Sequence, residues 1–197
     1  MSVLPIRLFG DPVLRERAKE VTDFDEGLSR LAEDMLATMR AAAGVGLAAN
    51  QVGVLRRLFT WELPGDNGDG RFGAFVNPEV AETSEEVEEA EEGCLSFPGL
   101  FYPSSRPLRA RITGVDVHGE PIEEVGEGLL ARIFLHEIDH LNGILFIDHL
   151  ARHDRKEAMR RIRDGELEHN AERAHTAGLE AEHAAAPEAL RADGPAI

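Results

Sequence analysis

Hydrophobic and polar positions recur along the chain with two periods, and each predicts its own kind of element. Between Glu26 and Arg40, the residues Leu28, Leu31, Met35, Leu36 and Met39 fall on one helical face, with Asp23 or Asp25 placed to cap it. Leu55 to Leu63, Phe72 to Val76 and Arg109 to Val117 read as strands, separated by turn sequences such as Pro64-Gly65-Asp66-Asn67-Gly68. In the last of them Ile112, Val115 and Val117 are the candidate inward residues. From Glu127 to Leu141, the residues Leu129, Leu130, Ile133, Phe134, Ile138 and Leu141 cover much of a helix's circumference, and Asn142-Gly143 supplies a stop. A helix so widely apolar belongs inside the domain. Between Glu82 and Glu92 glutamate dominates, and propensity alone reads this stretch as a helix or a solvated acidic segment. The glycines of Gly44-Val45-Gly46-Leu47-Ala48-Ala49-Asn50-Gln51 mark a functional loop after the first helix.

Beyond Leu150 the pattern changes twice. Residues 152–163 carry six basic side chains against Asp154 and Glu157, and read as a helix. From Asp164 onward acids predominate in Ala-, Glu- and His-rich sequence broken by Gly178, Pro187 and Pro195. The expected organisation is a catalytic domain over 1–150, a basic helix over 151–165 and an acidic, disordered tail over 166–197. A formal net charge of −16 repels nucleic acid and anionic membranes, so DNA and membrane are not expected partners. With no long apolar run and no signal-like start, a cytoplasmic protein is expected. The lone cysteine, Cys94, has no intrachain disulfide partner, which leaves packing, reactivity or metal ligation.

The chemistry concentrates in His136-Glu137-Ile138-Asp139-His140. Helical residues four apart lie about 40° apart around the axis and about 6 Å along it, so both imidazoles reach one metal ion. Glu137 turns toward a neighbouring position suited to moving a proton to or from water. Two histidines and two carboxylates in a largely apolar helix are costly unless something pairs with them. A catalytic site also needs a third donor and an open position. A metzincin-type histidine would fall where Phe146 stands, a downstream carboxylate ligand would be Glu157 or a tail residue, and Cys94 in Glu92-Gly93-Cys94-Leu95-Ser96 is the remaining alternative.

Taken together, Gly44 to Gln51, Glu92 to Ser96 and His136 to His140 resemble, in that order, the three motifs of the peptide deformylases, over about Leu4 to Leu150. The resemblance implies an α+β fold of small antiparallel sheets around a central helix carrying the His136–His140 motif, with the acidic stretch before Cys94 extended. It implies Cys94, His136 and His140 as metal ligands, Glu137 as general acid/base, and Gln51 and the backbone N–H of Leu95 as oxyanion donors. Val45, Leu129 and Ile133 would wall a pocket for a methionine side chain, and backbone groups of Val45, Gly46 and Gly93 would hold the substrate as an added strand. One departure is Leu135, where the family usually has glutamine.

The implied reaction is hydrolysis of the formyl group from N-formylmethionyl nascent peptides, giving formate and a free amino terminus. The implied cofactor is one divalent ion, Fe(II) in the cell, with Zn(II), Ni(II) and Co(II) also suited to the donors. Formylated chains emerge on the ribosome, and Arg152, Lys156, Arg160 and Arg163 are the expected docking face for its RNA phosphates. Arg106 is a candidate partner for Glu92. His149 and His153 read as a surface pair on one helix, and His169, His175 and His183 as solvent-exposed.

Overall fold

The computed structural model describes residues 2–65 and 70–172. Helix α1 (Glu26–Ala41) starts where the Asp25 carboxylate accepts the Leu28 N–H at 2.8 Å. Strands β1 (Gly46–Ala48), β2 (Leu58–Leu63) and β3 (Arg71–Thr83) follow, then the hairpin β4 (Val87–Gly93) and β5 (Phe101–Pro107). After β6 (Arg109–Val115) and β7 (Pro121–Glu127) come α2 (Leu129–Leu141) and α3 (Arg152–Arg163). Among the described residues these strands pair antiparallel throughout: one five-stranded sheet in the order β1-β2-β3-β6-β7 and the separate β4-β5 pair.

The larger sheet is covered on both faces, which explains why Leu58, Phe59, Thr60 and Trp61 are buried in succession instead of alternating with exposed residues. Phe59, Trp61, Phe75, Ala110 and Ile112 pack with Phe134, Ile133 and Ile138 of α2. Leu58, Val76 and Leu47 pack with Leu28, Met35 and Met39 of α1 on the other face. Of the three inward residues expected on β6, Ile112 is fully buried on the α2 side, whereas Val115 and Val117 are partly buried on the α1 side. Phe134 is the hub, with ring centroids 5.3 Å from Trp61, 5.8 Å from Phe75 and 6.1 Å from Phe59. Burial of each such side chain contributes about 1.5–3 kcal/mol.

The segment 87–93 is a strand, as the family resemblance implies and against its helix propensity. Its inward residue near the end is itself acidic, the buried Glu92. Strands β5 and β7, not anticipated from their Pro- and Glu-containing sequences, complete the hairpin and the sheet edge. Disorder from residue 166 onward is not what the structure has at 166–172, which are helical with Leu167 buried. The rest of that expected tail, 173–197, including His175 and His183, lies outside the described residues. His149 follows a 3-10 turn (Phe146–Asp148) and precedes α3, so it shares no helix with His153.

Candidate metal centre

Donor atoms converge here from two elements. His136 and His140 stand one turn apart on α2 with ring centroids 4.9 Å apart. Cys94 leaves the end of β4, and its Sγ lies 3.1 Å from His140 Nε2. One ligand atom from each of Cys94, His136 and His140 lies within 4.8 Å of the others, an arrangement that no other His, Cys, Asp or Glu trio among the described residues matches. A thiolate and two imidazoles suit a divalent transition metal with one coordination position left open. Burial holds the His140 pKa well below its ordinary value, which keeps the ring in the neutral, metal-binding form.

Around His136 the second ring nitrogen is already committed. Nδ1 meets Glu92 Oε1 at 2.6 Å, leaving Nε2 for the Cys94 side. Glu92 also accepts from Arg106 Nη2 at 2.6 Å and from Arg132 Nη1 at 3.0 Å, so the expected Arg106–Glu92 pair is present and a second arginine joins it. Burial alone would push the Glu92 carboxyl upward, but the hydrogen bonds from His136 and Arg106 overcome it and hold the group far below its ordinary range. Arg106 reaches on to Asp139 at 2.6 Å, and Asp139 meets His149 Nε2 at 2.8 Å. The cost of a carboxylate in that apolar helix signalled that Asp139 needs a partner; nothing local signalled Arg132. Leu135 packs with the apolar cluster, and the polar support of the metal helix comes from Glu92 instead.

Glu137 is buried, and its Oε2 has no hydrogen-bond partner among the described residues. Burial raises its pKa to about 7, the range in which a carboxyl group can both take and return a proton near neutrality. Gly46 makes room for it: a Cβ there would fall 2.3 Å from Glu137 Oε1. Gln51 is oriented by its own loop. The Ala48 N–H donates to Gln51 Oε1 at 2.8 Å, which turns the amide NH2 toward Cys94 Sγ at 3.6 Å and Ser96 Oγ at 3.2 Å.

The substrate-side candidates surround this cluster. Strand β1 lies at the sheet edge, and the Glu62 N–H donates to the Val45 carbonyl at 2.9 Å. Gly46 opposite Trp61 is therefore a non-hydrogen-bonded pair, and the Gly46 N–H and C=O face the open edge. Val45 is half-buried, Ile133 buried and Leu129 50% exposed, so Leu129 sits at a rim while Ile133 lies deeper. Gly93, at the end of β4, lies against the exposed ring of Phe101.

A family model described as Polypeptide deformylase matches residues 3–156. A peptide deformylase from Acidothermus cellulolyticus is 52% identical over 166 residues, spanning 84% of this chain and 89% of that protein. The crystal structure of a peptide deformylase from Legionella pneumophila shares 41% identity at a TM-score of 0.77, covering 84% of this chain and 96% of that one. That from Thermotoga maritima shares 48% identity at a TM-score of 0.71, covering 77% and 99%.

Proposed function

Because the chain belongs to the polypeptide deformylase family and removes the formyl group from the N-terminal formylmethionine of newly made polypeptides, we propose that Cys94, His136 and His140 hold its metal ion and that Glu137 carries the proton. The observation that carries this reading is the convergence of those three donors beside a buried carboxyl group. Such an ion, when bound, supplies Lewis acidity to water and carbonyl oxygen near neutral pH. We assign Fe(II) as the ion used in the cell, with Zn(II), Ni(II) and Co(II) accepted by the same donors.

The chain's own groups then divide the work. Glu137 takes a proton from the attacking water and returns it to the leaving amine. The Gln51 amide, held by Ala48, and the Leu95 N–H donate to the formyl oxygen as negative charge builds there. Gly46 offers its free backbone edge to the peptide, with backbone groups of Val45 and Gly93 also holding it, while the side chains of Val45, Leu129 and Ile133 receive the methionine side chain. No described helix is long and apolar enough to cross a membrane, and a substrate made on ribosomes favours a cytoplasmic site of action. Glu137→Gln keeps the shape but removes the proton carrier. Formate release should fall at least about 100-fold while the metal stays bound; near-normal turnover would remove Glu137 from the chemistry.

A docking role for α3 is favoured by the exposure of Arg152, Lys156, Arg160 and Arg163, each presented to solvent by a helix that buries Ala158 on its other face. Their replacement by glutamine should weaken a salt-sensitive co-sedimentation with ribosomes and leave hydrolysis of a short formyl-methionyl peptide unchanged. Binding indifferent to salt and to these changes would reduce the cluster to ordinary surface.

A further inference from the structure

The loop that carries Cys94 is not held by the hairpin alone. It makes two successive turns, with the Phe97 N–H donating to the Cys94 carbonyl at 2.8 Å and the Leu100 N–H to the Phe97 carbonyl at 3.1 Å. Its outer corner, Pro98-Gly99, is contacted by the segment that follows α3. The chain reverses at Gly165, where φ is +84°, and residues 166–172 form a short helix laid over the loop. Leu167, 1% exposed, enters the apolar cluster of Phe97, Leu100 and Phe146 against which Cys94 itself packs. Asn170 Nδ2 donates to the Pro98 carbonyl at 3.0 Å. Gly99 adopts φ +75° beneath that amide, and a Cβ there would come 2.4 Å from Asn170 Nδ2. The start of this helix is fixed in turn by Arg161, whose Nε donates to Glu166 at 2.8 Å.

We propose that Asn170, anchored by Leu167, is a positioning residue of the metal centre: it fixes the Cys94–Leu100 loop from outside, and with it the direction in which the Cys94 sulfur meets the two histidines. The physical reason is leverage. Cys94 and Ser96 stand at the inner end of the loop, where Ser96 Oγ takes the Gln51 amide and the Ser96 carbonyl takes the Phe9 N–H at 2.9 Å. Releasing the outer corner lets both turns rotate about those inner bonds, and a thiolate ligand tolerates little displacement before coordination weakens.

The proposal rests on Cys94 being a ligand, and the test separates the two. Full-length protein is loaded with Co(II), whose thiolate charge-transfer absorption reports the metal–sulfur bond. Its release to an excess of chelator is timed for wild type, Asn170→Asp and Leu167→Ala. Asn170→Asp keeps the side chain's shape but places a carboxylate against the Pro98 carbonyl. The expected result in both variants is an altered charge-transfer band and cobalt release faster by roughly 10-fold, the low end of the effect of outer partners on a metal site. An unchanged band and release rate in Asn170→Asp, with or without a lower Tm, would overturn the proposal, since packing alone moves only the Tm. Absence of any thiolate band in wild-type protein would instead count against Cys94 as a ligand.

Discussion

The two sheets grip the same helix by opposite means. Against the five-stranded sheet α2 presents Ile133, Phe134 and Ile138 to Phe59, Trp61 and Phe75, an apolar contact whose attraction is non-directional. Against the two-stranded hairpin it presents Arg132, His136 and Asp139 to Glu92 and Arg106, and Arg132 also reaches the backbone carbonyls of Ser104 at 2.9 Å and Glu88 at 3.0 Å. Buried ions contribute little net stability because desolvation offsets their attraction, but they permit few geometries. The difference teaches a division of labour: the apolar side decides where the helix lies, and the ionic side decides how the ring of His136 and the Cys94 strand are aimed.

That division is sharpest if broken on each side in turn. Glu92→Ala should cost about 3–5 kcal/mol, because it strips a shared carboxylate from buried Arg106 and Arg132, and should weaken metal binding about 10–100-fold through the loss of the His136 partner. Phe134→Ala should cost a similar amount, about 3–5 kcal/mol, with metal affinity of the folded protein nearly intact. Urea unfolding and metal competition on both variants check this. Equal loss of affinity in the two would erase the distinction.

The smaller effect concerns Glu137, which is buried and whose Oε2 has no hydrogen-bond partner among the described residues. In metal-free protein its pKa rises from 4.5 to about 7 through burial, so the folded state holds a proton that the unfolded chain gives up. Stability from this group is complete below the unfolded value and is lost as pH rises through about 7, by on the order of 3 kcal/mol. Glu137→Gln should therefore be more stable than the parent at about pH 8 and lose that advantage at about pH 5, as read by unfolding of chelator-treated samples. A constant difference between the two proteins across that range would contradict the assignment.

The sequence made the candidate metal helix legible because its donors are local: His136 and His140 repeat at a spacing that a helix turns into proximity, and α2 stops at Asn142-Gly143 as expected, although Glu127, expected to open it, ends β7 and the helix starts at Leu129. The acidic strand was not legible from pattern alone. Binary patterning finds strands by apolar inward residues, and β4 turns a glutamate inward, paired with Arg106 of β5, which was a candidate partner, and with Arg132 of α2, which was not. The same holds for 166–172, where Leu167 and Asn170 find their partners about 70 residues upstream, in Phe97 and Pro98. Arg132 drew no expectation from the sequence, and its tertiary contacts show it to be a buried link between helix and hairpin.

The wide spacing of the groups around the metal loop also sets a timetable for this enzyme's own synthesis. Cys94 and Asn170 are separated by 76 positions, so at about 5–20 residues per second the thiol precedes the segment that contacts its loop by on the order of 4–15 s. For the first 42 to 46 of those positions the two imidazoles are not yet made, so the thiol precedes both the histidines and Asn170. A protein that processes the beginnings of other chains thus makes its own thiol well before the imidazoles and the loop contact that surround it.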